Sequence, residues 1–245
     1  VNNNETWQSC LNLKQKKYNF INAGVFGYGT GQAYLRAQIL SKKISPRPDF
    51  IILNHLVGHD FPRDKYKFRT GFPTPSLVSN GDEIYISSPP TDYVIGTKFF
   101  IPKSNLEIIQ NNILKALGNS RIIAKFNNYY QSVARKRVSI QHPSAASEDE
   151  IREWIVLNSK ESPIKIIWLL QYAETFYKNP EFISKKREEL IRSLKFNDLE
   201  FIDTYIILKN KLKKGSDKNS IWNGHHTKYG NELVCKSIYE FLINK

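Results

Sequence analysis

The chain has 245 residues, a net charge of +13 and an apolar fraction of 40%, with 14 Phe, 13 Tyr and 4 Trp. At this length roughly 70–75% of the unfolded chain's surface can be buried, so one α/β domain or two small domains can build a core. The aromatic content excludes a disordered or low-complexity chain, and no apolar run approaches the roughly 20 residues of a membrane helix. No signal peptide opens the chain. The positive charge suits acidic partners such as nucleic acid, anionic polysaccharide or anionic lipid, or else a solvated lysine-rich surface. Cys10 and Cys235 lie at opposite ends of the sequence. They form neither a metal pattern nor a disulfide framework and say little about redox compartment. The chain begins at Val1 and contains no Met. We therefore expect a fragment, or a chain that lacks residues, methionines included, so that some spacings are shortened.

Residues 18–24, Tyr-Asn-Phe-Ile-Asn-Ala-Gly, read as a short strand ending in a glycine-rich turn from Gly24 to Gly31. A helix comes next, with Leu35 and Ile39 one turn apart. Asp49 to Val57 is a near-continuous apolar run, the pattern of a parallel strand buried on both faces. Residues 60–146 break the rhythm with an Asn80-Gly81 hairpin signal, alternation over Glu83–Ser87, Pro89-Pro90, and a helical stretch from about Leu106 to Val133. This segment reads as an insertion within one domain that spans 1–245. Ser147 and Glu150 form a capping box ahead of Ile151, Trp154 and Ile155. Ile164–Leu170, after Pro163, is a second buried-strand run. Asn179-Pro180 is an N-cap with Pro at the first helical position, leading Ile183, Leu190, Ile191 and Leu194. Leu199–Asp203 is a third, shorter strand. The last helix carries Val234, Cys235, Ile238, Phe241 and Leu242 on one face. Strand and helix in alternation predict an α/β fold with a parallel sheet.

Three segments come after a predicted strand or open the last helix, the region where an open parallel sheet binds ligands. In Asn22-Ala-Gly-Val-Phe-Gly27-Tyr-Gly-Thr30, small residues let the backbone approach a ligand and aim an amide at an oxyanion; a plain strand-to-helix turn is the other reading. Gly58-His59-Asp60 places a His-Asp pair at a strand end, as acid–base machinery or as a solvated turn. His55 and His59 have a spacing that suits zinc on a helix, but this segment reads as strand and loop with no third ligand, so no metal is expected. In Asn223-Gly-His225-His226-Thr-Lys-Tyr-Gly230, an imidazole precedes a helix on a glycine-held loop, a place for a general base or for a helix cap. The carboxylate that orients such a base is expected two or three residues upstream, where Asn223 stands.

Together the three segments resemble the SGNH (GDSL-type) hydrolase superfamily, in particular its bacterial branch of alginate-type O-acetylation proteins. The resemblance spans nearly the whole chain in the right order. It implies a three-layer α/β/α sandwich with a mostly parallel, flavodoxin-like sheet. It assigns the Gly27 amide and the His59 side chain to the oxyanion hole, with His59 in place of the family's Asn. It also makes His225 the catalytic base, Asn223 the residue in place of the family's Asp, and Gly230 the family glycine. The segment around Asn80–Pro90 resembles a hairpin insertion of this branch. The family's Gly-Asp-Ser block, which carries the nucleophile, is absent from this chain, and Val1-Asn-Asn-Asn-Glu-Thr-Trp7 resembles the stretch immediately after that block. In the family the strand leading to the block is central, between the strands read here as 18–24 and 49–57, so a longer native N-terminus is expected.

An amide at 223 cannot stabilise an imidazolium as a carboxylate does; Asp60 and Asp203 are possible substitutes by type alone. His59 can still donate from a ring N–H. The expected activity is that of a serine esterase or O-acetyltransferase acting on a small acyl ester or an O-acylated glycan, without cofactor. A catalytically degenerate relative that binds without turnover is the alternative. A third reading, nucleic-acid binding, rests on the basic stretches Lys209–Lys218 and Arg135–Arg137, which no recognition motif accompanies, and nucleic acid is not expected as a partner. The family suggests a place outside the bacterial cytoplasm, with any membrane anchor confined to N-terminal residues beyond this chain.

Overall fold

The structure, a computed structural model, describes residues 3–25, 27–69, 72–80, 83–87, 93–95, 100–102, 140–174, 179–213, 217–223 and 225–244. The chain divides into two compact units, Val1–Pro62 with Glu148–Lys245, and Arg63–Ser147.

The first unit is built on a parallel three-stranded sheet of β1 (Phe50–Leu56), β9 (Lys165–Gln171) and β10 (Glu200–Asp203), in the order β1-β9-β10. These are the three apolar runs expected as strands. Ile166 to Leu170 of β9 are all buried, and Trp168, Leu169 and Leu170 are fully enclosed. That is the composition of a strand covered on both faces. Register runs from Phe50↔Lys165 to Leu56↔Gln171 on one side and from Glu200↔Ile167 to Asp203↔Leu170 on the other. Helices α1 (Trp7–Lys14), α2 (Thr30–Ser41), α4 (Glu148–Lys160), α5 (Pro180–Phe196), α6 (Tyr205–Lys213) and α8 (Lys228–Ile243) accompany the sheet. Helix α5 starts as its sequence dictates: the Asn179 side chain accepts from the Phe182 N–H at 3.3 Å, with Pro180 next. On α8, Val234, Cys235 and Ile238 enter a core cluster with Leu11, Ile167, Leu169 and Ile202, as the helical stripe requires.

Three expectations are corrected. First, residues 18–24 form no strand. A strand needs a partner backbone, and here side-chain amides take its place. The Asn12 amide donates to the Phe20 carbonyl (2.9 Å) and accepts from the Phe20 N–H (2.7 Å). Gln15 does the same at Tyr18, at 2.6 and 2.7 Å. Tyr18 and Phe20 still pack edge-on against Phe50, with ring centroids 5.1 and 6.1 Å away. Second, α2 does not turn Leu35 and Ile39 together to the core, since Ile39 is 56% exposed. The helix instead buries Thr30, Gly31 and Gln32 in its first turn, together with Tyr34 and Ser41. Third, Cys10 and Cys235 are joined in a disulfide across 225 positions, with Cα atoms 6.1 Å apart. Helix α1 packs along α8, and this packing brings the two side chains together.

In the second unit, β2 (Tyr66–Arg69) pairs with β3 (Phe72–Pro73) and β8 (Ile140–Gln141), and β4 (Ser76–Ser79) with β5 (Ile84–Ser87). Strands β6 (Tyr93–Ile95) and β7 (Phe100–Pro102) form another antiparallel pair. The hairpin expected at Asn80 is β4–β5, closed where the Asn80 side chain accepts from the Glu83 N–H at 2.8 Å. The helix expected over Leu106–Val133 and the Pro89-Pro90 turn lie outside the described residues.

The disulfide ties α1 to the closing helix of the first unit. Reducing it, or replacing both cysteines with alanine, is expected to lower unfolding free energy by about 2–5 kcal/mol. Urea midpoints with and without reductant check this, and the alanine variant should be indifferent to reductant.

Candidate functional site

The site is built on the carboxyl end of β9, where successive carbonyls hold three different segments. The Leu170 carbonyl accepts from the Thr204 N–H (3.2 Å) and hydroxyl (2.8 Å), which fixes the turn after β10. The Gln171 carbonyl accepts from the Val57 N–H at 3.0 Å, which fixes the turn after β1. The Tyr172 carbonyl accepts from Trp222 Nε1 at 2.9 Å. Trp222 is buried and opens a small antiparallel ribbon, β11 (Trp222–Asn223) with β12 (His225–His226). The turns carrying His59 and His225 are thus anchored on adjacent carbonyls.

Asn223 and His225 stand opposite each other in that ribbon, both on the exposed side. Trp222 and His226 form the other pair, with rings 5.9 Å apart and 30° from parallel. The ribbon is continuous with α8 through Thr227, whose hydroxyl accepts from the Gly230 N–H (3.1 Å) and donates to the Ser220 carbonyl (2.5 Å). Gly230 is required by close approach. A Cβ there would run into the carbonyl oxygen of Ile221, the residue that ends α7 (Lys218–Ile221). Any side chain at 230 would push the ribbon away from the helix.

His59 and Gly58 occupy the turn after β1, closed by the His59 N–H donating to the Leu56 carbonyl at 3.0 Å. Gly58 has φ +78°, and a Cβ would meet Ile183 at 2.9 Å and Phe182 at 3.2 Å. A side chain here would be strained by the backbone and would have to displace the tips of Ile183 and Phe182. Gly27 also has positive φ, +84°, three residues before the buried Thr30. Thr30 Oγ1 lies 2.7 Å from His55 Nδ1 and 3.5 Å from Asp60 Oδ2, and Asp60 Oδ2 accepts from the Leu56 N–H at 2.7 Å. Thr30, His55 and Asp60 are all buried. The Gly27 turn therefore reaches the same end of the sheet through Thr30. Sequence reasoning raises His55 only as a zinc ligand and misses Thr30. His55 is a strand residue stacked against Phe61, with centroids 4.3 Å apart. The one available signal is a polar residue inside an apolar strand run.

Both carboxylates considered as substitutes for the Asn223 position have other partners. Asp203 accepts from the Tyr172 hydroxyl (2.8 Å), from Arg187 Nε (2.7 Å) and from the Tyr205 N–H (3.0 Å). Burial, reinforced by Asp203, pushes the Tyr172 hydroxyl far above its ordinary pKa, so it remains a donor. Asp60 holds the Leu56 amide and Thr30. The arrangement offers an imidazole that pairs with an amide across the ribbon, and two turns shaped by glycines at positive φ. The basic stretch Arg135–Arg137 lies outside the described residues, and Lys209–Lys213 belong to α6.

No family model, no curated protein and no solved structure matches the chain.

His226 gives the site a pH signature. Burial pushes its imidazole down to about 4, with the Tyr172 backbone opposing and His225 reinforcing the shift. Its Nε2 is enclosed without a hydrogen-bond partner among the described residues. The unfolded chain binds a proton near pH 6.5, before the folded one does. The stabilisation from a neutral His226 is therefore complete above about pH 6.5 and is lost as pH falls towards 4. At about 1.4 kcal/mol per tenfold change in proton affinity, the loss approaches about 3 kcal/mol. His226→Phe, an aromatic that can stay on Trp222, should flatten that component. Urea midpoints of both proteins at pH 7 and pH 4.5 measure the difference.

Proposed function

We propose that the chain is the histidine-bearing part of an SGNH-type ester hydrolase or O-acyltransferase that acts on acyl, chiefly acetyl, esters. The observation that carries this reading is the anchoring of the His59 and His225 turns on the Gln171 and Tyr172 carbonyls. With the Gly27 turn tied to the same end of β1, all three motif segments lie at the carboxyl end of one parallel sheet. In this reading His225 takes a proton from a serine nucleophile and returns it to the leaving alkoxide. The Gly27 amide and His59 hold the oxyanion, and Asn223 orients His225 without the charge a carboxylate would supply.

The serine is not assigned within residues 1–245. A groove of about 510 Å³, lined by residues 17–24 on one side and 44–54 on the other, supports the finer fold reading. Strand β1 is at an edge of the described sheet, yet Phe50 to Leu53 form the continuous apolar run of an interior strand. One further strand in this groove would pair with β1 and complete a flavodoxin-like sheet in a three-layer sandwich. A nucleophile at its carboxyl end would fall beside the three turns. The single-domain reading then treats the segment of about residues 60–146 as an insertion. The Cys10–Cys235 disulfide favours an oxidising, extracytoplasmic compartment, and the +13 charge suits an anionic O-acylated glycan.

Binding without turnover is the second reading. The partners that engage Asp203 and Asp60 favour it, because they leave Asn223 as the group opposite His225.

The natural gene product, assayed with p-nitrophenyl acetate, should hydrolyse it slowly, and His225→Ala should abolish the reaction. Asn223→Asp should raise kcat at least about 10-fold, since the reverse change in serine proteases costs about 10⁴. Hydrolysis indifferent to both variants sinks the assignment, and no hydrolysis in any of the three proteins favours the binding reading.

A further inference from the structure

The buried polar cluster beneath the site has a role of its own. Thr30, His55 and Asp60 come from three places in the chain: the first turn of α2, the penultimate residue of β1, and the start of the short helix α3 (Asp60–Arg63) after β1. Their polar atoms meet within 2.7–3.5 Å in a region closed to solvent. Burying a hydroxyl, an imidazole and a carboxylate together is costly unless they satisfy one another. An apolar trio would hold the strand and helix at least as well. The cluster does something an apolar contact does not: it fixes direction. Asp60 Oδ2 takes the Leu56 N–H and faces the Thr30 hydroxyl, so one oxygen links the end of β1 to the start of α2. Gly27 lies three residues before Thr30, and His59 immediately precedes Asp60.

We propose that Thr30, His55 and Asp60 form a positioning clamp that sets the Gly27 amide and His59 relative to each other, so that both can address one oxyanion. The proposal rests on the esterase reading above. None of the three residues touches substrate; they act through the two turns. Hydrogen-bond donors, here a backbone amide and a ring N–H, stabilise an oxyanion only within a narrow range of distance, and a misplacement of about 1 Å can cost about 100-fold in rate. A hydroxyl with directional bonds to both sides supplies that constraint.

Thr30→Val keeps the shape and removes the hydroxyl, whereas Thr30→Ser keeps the hydroxyl. The test compares these two with the unaltered gene product by kinetics on p-nitrophenyl acetate and by backbone amide NMR. In Thr30→Val, kcat is expected to fall about 10–100-fold with KM unchanged, and the Gly27 and His59 amide signals should move together. Thr30→Ser should restore both readouts. Thr30→Ala, which cannot overpack, takes the place of Thr30→Val if the latter does not fold. If the hydroxyl is removed and neither amide moves, or only one does, the clamp is overturned whatever the kinetics show. If the unaltered protein hydrolyses nothing, the esterase reading fails, and the amide signals alone decide whether the cluster couples the two turns.

Discussion

Three consecutive carbonyls at the end of β9 organise this molecule. Strand β9 is sealed on both faces and paired on both edges, so its carboxyl end is a well-supported platform. Each carbonyl there must find a donor, because a buried unpaired carbonyl costs about 1–3 kcal/mol. Leu170 is satisfied from Thr204, Gln171 from Val57 and Tyr172 from the Trp222 indole. Backbone satisfaction and the assembly of the site are therefore one event. The Trp222 bond matters most, since the ribbon it begins has only two residues in each strand. Such a ribbon has no independent stability; it is held by the indole below and by the Thr227 N–H, which donates to the Ile221 carbonyl at 2.9 Å.

The two sides of β9 differ. On the β10 side, Ile202 joins the buried cluster with Leu11 and Val234. On the β1 side the strand is only half-buried over Phe50 to Ile52. Tyr18 and Phe20 cover part of it with edge-on ring contacts, and the Asn12 and Gln15 amides stand in for a paired backbone. Side-chain amides can satisfy one edge of a segment two residues at a time, but they do not propagate a ladder. This explains why residues 18–24 lie beside the sheet without joining it.

Local patterns make much of this legible. An unbroken apolar run bounded by turn residues marks β9 as a covered strand; Asn179-Pro180 specifies the start of α5; Asn80 marks the β4–β5 turn. The features that stay hidden depend on contacts between distant residues. Cysteines 225 positions apart carry no spacing signal, and only the packing of α1 on α8 pairs them. Ile39 has the right period for a buried face, but α2 buries Thr30, Tyr34 and Ser41, and Ile39 turns outward. The site divides in the same way. Gly27, His59, Asn223 and His225 can be named from short motifs. The Thr30–His55–Asp60 contact cannot, because each member looks ordinary in its own segment.

The chemistry of the ribbon finally turns on where a positive charge can reside. A base that takes a proton becomes an imidazolium, and its environment decides the cost. Opposite His225 is an amide, and next to it is His226, whose burial keeps it neutral to about pH 4. The chain as a whole carries +13. The strand-end carboxylate of β10, Asp203, is already neutralised by Arg187 at 2.5 Å. In the proposed reaction a cation formed at His225 would face the Asn223 amide across the ribbon. An acidic substrate would change that balance by bringing its own anion to the ribbon. Under the esterase reading proposed above, an anionic acylated glycan would therefore suit this electrostatic setting better than a neutral ester.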